Sequence, residues 1–133
     1  MMWLVELDKV SDAMFDRAKA EVDEPLRTTL RDRSHKVFAI GKTDDPFLIV
    51  GVMPLTMLST TAVAWAMFLE DTTLTFSDIR EGARLLRKFD AMHEYELLAD
   101  IGPQDEIGAK FARFCGFVPT GISETFDVYK QVI

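Results

Sequence analysis

At 133 residues, with 48 % hydrophobic content and ten Phe, the chain is sized for one buried core, so a single domain over 1–133 is expected. A formal net charge of −7 argues against a global attraction to nucleic acid, which needs a surface rich in Lys and Arg. One cysteine, Cys115, and two distant histidines, His35 and His93, exclude an internal disulfide framework and offer no ligand spacing for a metal, so no metal site is expected.

Residues 3–7 alternate apolar and polar side chains and predict a first strand. Ser11 suits the N-cap of a helix in which Met14, Phe15, Ala18 and Val22 recur at helical spacing. Pro25 interrupts that pattern and starts a second helix over 24–33, expected to bury Leu26 and Leu30. Residues 37–40 and 47–53 read as strands of an antiparallel hairpin across the turn-rich segment 41–46. The next strand, 60–69, carries Ala62, Ala64, Ala66 and Phe68 on one face and Thr61, Val63, Trp65 and Met67 on the other. Both faces are mostly apolar, as in a central strand covered on both sides.

Ser77 reads as the cap of a long helix from 78 to about 92, with Ile79, Ala83 and Leu86 along one side. A short strand at 95–99 precedes a helix over 103–115. There Pro103 suits the first helical position, Asp105 and Glu106 the positive dipole end, and Ile107, Phe111, Phe114 and Cys115 share a face. That placement makes Cys115 core filler rather than a nucleophile. Gly116 is the expected left-handed terminator, and strands follow at 117–119 and within 124–132. Two basic runs, Arg27, Arg31, Arg33, His35 and Lys36, then Arg80, Arg84, Arg87 and Lys88, read as solvated faces balanced by nearby Asp and Glu.

The order strand, two helices, three strands, helix, strand, helix, strand pair, together with Gly116-Phe117 after the last helix, resembles a Gcn5-related N-acetyltransferase (GNAT) domain. The resemblance implies an α/β (α+β) fold with a mixed, mostly antiparallel central sheet and helices on both faces. In that family a glycine-rich loop headed by Arg or Gln opens the third helix and cradles the coenzyme A pyrophosphate on backbone amides. With Leu85-Leu86 as the helix anchor, the corresponding run is Ser77-Asp78-Ile79-Arg80-Glu81-Gly82, of which Gly82 alone fits, while Asp78 and Glu81 stand where the anion would dock. The family Tyr that protonates the departing thiolate falls at Ala112, and the neighbouring family Asn falls near Asp105. The leading expectation is therefore no cofactor and no acyl transfer. The alternative is an active acetyl-CoA-dependent N-acetyltransferase with a divergent loop. In that case Ser77, Arg80 and Gly82 would bind the cofactor, and Glu70, Asp71, Glu96 or Asp100 would take the amine proton. The plain reading of those four carboxylates is that they are solvated at strand ends.

Trp65-Ala66-Met67-Phe68, Ser77-Asp78, the Arg84, Arg87, Lys88 helix and Phe111-Ala112-Arg113-Phe114-Cys115-Gly116-Phe117 are also similar to small internal virion proteins of short-tailed phages. This implies a phage-encoded protein in the host cytoplasm or virion interior, engaging a phage or host protein. A homo-oligomer stays open, as does a weaker reading in which the acidic surface mimics nucleic acid. No apolar run reaches about 18 residues and the N-terminus has no basic flank, so neither membrane insertion nor a signal peptide is expected. The apolar segment 53–58 is the candidate partner surface, against the plainer reading that it packs over the sheet.

Overall fold

The computed structural model describes residues 2–19, 21–56, 58, 60–69, 74–88, 95–101, 106–122 and 127–131. In chain order these form β1 (Trp3–Leu7), α1 (Asp12–Asp16), α2 (Glu24–Arg33), β2 (Lys36–Gly41), β3 (Pro46–Pro54), β4 (Thr61–Phe68), α3 (Phe76–Arg87), β5 (Glu96–Ile101), α4 (Glu106–Phe114), β6 (Phe117–Ile122) and β7 (Asp127–Gln131). The strands make one seven-stranded sheet in the order β1-β2-β3-β4-β5-β7-β6. Every pairing is antiparallel except β4 with β5.

Period-two alternation sorts the strand residues into two cores. Phe38, Ile40, Leu48, Val50, Val52 and Ala62 point toward α3 and α4, where Ile79, Ala83, Leu86, Phe111, Ala112 and Cys115 meet them. Val37, Ala39, Ile49 and Met67 point the other way, onto Phe15, Val22 and Leu30. Burial of Ile40, Ile49 and Val52 is complete, which makes β2 and β3 the apolar spine of the sheet. Two tryptophans cover its glycines: Trp3 stands opposite Gly41 and Trp65 opposite Gly51. A Cβ on either glycine would fall within 3.0 Å of the indole.

Local chemistry fixes the helix starts. Asp23 accepts the Leu26 N–H at 3.1 Å ahead of Pro25, so α2 begins as its sequence predicts. Ser11 caps α1 at 3.3 Å, but the helix stops at Asp16 instead of reaching Val22. Ala18 leaves the helix to bridge Leu69, and the Lys19 N–H donates to the Phe68 carbonyl at 2.9 Å. Pairing with the end of β4 thus outcompetes one more helical turn, while Ala18 and Val22 stay buried. Gly116 ends α4 with φ 95°, the left-handed conformation expected of it. The α3 cap is Thr75, two residues before the expected Ser77. Leu26 and Ile107 are 46 % and 41 % exposed rather than buried, because they face an opening in the sheet. Among the described residues, no helix is long and apolar enough to cross a membrane.

Candidate functional site in the splayed cleft

The opening lies between β4 and β5. Their parallel ladder holds Thr61↔Glu96, Ala62↔Leu97 and Val63↔Leu98 and then ends, after which β5 turns to pair with β7 from Leu98 to Ile101. Residues 64–68 keep their β3 partners but, among the described residues, have no strand on the other side. The backbone hydrogen bonds give the consequence. Thr61 accepts from Leu55 and Leu69 donates to Phe47, both toward β3, whereas Thr60 accepts from Glu96 and Phe68 from Lys19. Odd-numbered residues therefore turn their peptide groups to β3 and even-numbered ones to the gap. Ala66, exposed in mid-strand, presents its N–H and C=O to the gap with no ladder partner among the described residues.

Two chambers meet at this gap. One, of about 410 Å³, lies on the α3/α4 side among Val50, Ala64, Phe68, Leu86, Phe111, Ala112 and Cys115. The other, of about 500 Å³, lies on the α1/α2 side among Val22, Leu26, Leu30, Trp65 and Ile107, with Lys19 and Glu21 at its rim. Leu26, Leu30, Trp65, Ala66 and Phe68 border both. The Trp65 indole is held by a 2.9 Å hydrogen bond from Nε1 to Ser34 Oγ. Among the described residues, the Cys115 thiol is the one titratable group lining the inner chamber, and burial pushes its pKa up to about 12. It is neither a ready proton donor nor a thiolate. Ala112, at the position of the expected thiol acid, is 6 % exposed and carries nothing to donate.

At the head of α3 the Thr75 hydroxyl accepts the Asp78 N–H at 3.2 Å, and the Asp78 carboxylate accepts the Thr75 N–H at 3.0 Å. This reciprocal capping box uses two of the amides that a helix start offers an anion. Lys42 reaches the same carboxylate at 2.7 Å. That hydrogen bond, reinforced by the one from the Thr75 backbone, holds Asp78 below the usual carboxylate range. The helix N-terminus thus carries its own anion.

The other sequence candidates scatter. Ser77 is exposed in the first turn of α3. Arg80 lies on the outer face, its guanidinium 5.6 Å from the Phe114 ring centroid. Gly82 is buried inside α3, where an added Cβ would meet Ile40 and Phe47 at ordinary contact distance, so it is not a loop glycine: the helix starts six residues before it, at Phe76. Glu96 is exposed at the closed end of the cleft, opposite Thr61. Asp100 pairs with Val128 in β7. Glu70 and Asp71 lie outside the described residues, as do Pro103 and Asp105. Of the four carboxylates expected from sequence, the structure therefore brings neither of the two it describes, Glu96 and Asp100, into the lining of the two chambers. What sequence reading could not supply is whether a fork between the fourth and fifth strands is open or filled, and the edge at Ala66 that lacks a partner among the described residues, since no local pattern reports where a neighbouring strand departs. In the segment 53–58, Leu55 is 46 % and Leu58 96 % exposed, while Arg33 holds the Leu55 carbonyl at 3.0 Å. Those side chains do not pack over the sheet.

No family model matches the chain, and no curated protein does. Solved structures do. An acetyltransferase of Bacillus subtilis in complex with CoA superposes with a TM-score of 0.73 at 8 % identity, over 100 % of this chain and 99 % of that one. An IAA acetyltransferase from Bacillus cereus gives 0.71 at 8 % identity, over 98 % and 99 %. A chimeric spermidine N-acetyltransferase from Vibrio cholerae gives 0.61 at 11 % identity, over 96 % and 92 %. With its splayed β4 and β5, this chain has the mixed α/β fold of the GNAT acetyltransferases.

Proposed function

We propose that this GNAT-fold chain is a noncatalytic binding component, a phage protein of the virion or of the host encounter, that engages a protein partner and transfers no acyl group. The observation that carries the reading is the carboxylate of Asp78 locked onto the head of α3 by Thr75 and Lys42. A pyrophosphate drawn to a helix N-terminus meets there an ionised acid that repels it and finds two of the amides already in use. The described residues do not fit that group. The inner cleft wall supports the same conclusion: Ala112 has no proton to give, and the Cys115 thiol, its pKa pushed up to about 12 by burial, holds its proton too tightly to pass it to a departing thiolate. The exposed Leu55 and Leu58 offer a partner an apolar hold beside the sheet.

Calorimetry with acetyl-CoA tests the reading. No binding heat is expected, and a 1:1 complex of micromolar dissociation constant would defeat it. The second reading, an active N-acetyltransferase with a divergent loop, is favoured by the unpaired β4 edge at Ala66, where an extended ligand arm could hydrogen-bond. It predicts thiol release from acetyl-CoA with some amine acceptor, and silence across a broad amine panel would eliminate it.

A further inference from the structure

A second concave site lies on the solvent side of α3 and α4, toward their C-terminal ends, and owes nothing to the cleft. Arg80, Arg84, Arg87 and Lys88 recur at i, i+4, i+7 and i+8 on α3, which sets all four within an arc of roughly 100°. Together with Phe114 they line one depression of about 460 Å³, and no carboxylate lines it among the described residues. Its floor is built. The Arg80 guanidinium lies over the Phe114 ring, and Arg87 Nη1 donates to the Phe114 carbonyl at 3.4 Å. Glu81 pairs with Arg84, but among the described residues no carboxylate forms a salt bridge with Arg80 or Lys88. Among the described residues, then, two of the four cations make no salt bridge, although Lys88 still acts at longer range on the Glu81 carboxylate.

The concentration is local. Helices α3 and α4, with the α3 C-cap Lys88, hold six of the 15 Lys and Arg but three of the 22 Asp and Glu, in a chain of net charge −7. The negative end of a helix dipole amounts to about half a charge, so Arg84, Arg87 and the C-cap Lys88 already exceed what α3 itself requires, and Arg80 adds a fourth cation. The depression runs along α3 from Arg80, two residues after Asp78, to Lys88, roughly 12 Å further along the axis.

We propose that the depression binds the phosphoryl group of a small phosphorylated ligand. Arginine forks on a dianion give short charge-assisted hydrogen bonds, and the four cations converge on one basin instead of tracking along a strand. The acidic remainder of the chain repels a long polyanion at distances over which a single phosphate is screened.

Titration followed by NMR of the arginine side-chain N–H groups and the Phe114 ring tests the proposal, with inorganic phosphate, adenosine 5′-monophosphate and a single-stranded 12-mer of thymidylate as probes. Saturable shifts at this site with phosphate and with the nucleotide are expected. Equal affinities assign the phosphoryl group alone, and a tighter nucleotide assigns the nucleoside as part of the ligand. Arg80→Gln and Lys88→Gln, both at exposed positions, should each weaken binding by about tenfold or more, whereas Lys9→Gln, remote from the depression, should not. No shift with either small probe would overturn the proposal. So would a 12-mer that binds far more tightly than the nucleotide with a steep salt dependence, which would mark a nucleic-acid surface instead.

Discussion

Gly51→Ala should destabilise this protein although it adds a single methyl group to a strand. The new Cβ would come within 3.0 Å of the Cε2, Cζ2 and Nε1 atoms of Trp65. The indole cannot slide freely, because Nε1 is tied to Ser34 Oγ at 2.9 Å and the β3/β4 register sets Trp65 directly opposite Gly51. Overpacking of this kind costs about 1–3 kcal/mol, and loss of the hydrogen bond roughly another 1 kcal/mol. Relief of the entropic penalty of a strand glycine returns about 0.5–1 kcal/mol. The net is a loss of about 1–3 kcal/mol. Unfolding entropy scales to about 0.28 kcal/mol/K for a chain of 133 residues, so the midpoint should fall by about 4–11 °C. Thermal denaturation followed by tryptophan fluorescence measures this directly, with a red shift in the native emission as Trp65 is pushed toward the cleft. In a Trp65→Leu background the same glycine change should become neutral or stabilising, because the clash has gone. An unchanged midpoint in the native background, or equal losses in both, would refute the account of Trp65 as a wall braced on a bare Cα.

Other expectations follow from the same geometry. Thr75→Ala removes the α3 cap and should cost about 1 kcal/mol near neutral pH, readable as a fall in the denaturant midpoint at constant m-value. The Asp78 pKa is depressed in the folded state, so its contribution is present above the ordinary carboxylate pKa of 3.8 and disappears as pH falls below it. The stability gap between the native chain and Asp78→Asn should therefore close in acid, and a constant gap from pH 6 to pH 3 would contradict the assignment. Cys115 should resist a disulfide labelling reagent in the folded protein and react at once in guanidinium chloride. Its folded pKa is raised from 9.0 to about 12, so stability should decline with rising pH across that window, as the unfolded thiol ionises first. Cys115→Ala should flatten that alkaline decline. Leu58 is 96 % exposed, so Leu58→Ser should leave the midpoint within about 0.5 kcal/mol of native while weakening capture of whichever partner the protein binds.

Much of the architecture was written in short-range chemistry. Asp23 and Pro25 start α2, Gly116 ends α4 in a left-handed turn, and alternation along β4 separates Ala62 and Phe68 from Met67. These are properties of neighbours in the chain, where a cap, a backbone angle or a side-chain period leaves its mark within a few residues. Long-range competition decided the rest. The helix α1 gave up Ala18 to a bridge with Leu69, and the first turn of α3 settled on Thr75 because Asp78 could close a box with it and also meet Lys42, 36 positions away in the chain. The fork between β4 and β5 exists because β5 trades one neighbour for another after Leu98. That exchange exposes the Ala66 peptide, turns Leu26 and Ile107 toward a groove and leaves Glu96 at the closed end. A strand's side-chain pattern is the same whether its edge is paired or open, so sequence could supply the two apolar faces of β4 while only the assembled sheet could say that one edge of it stands bare.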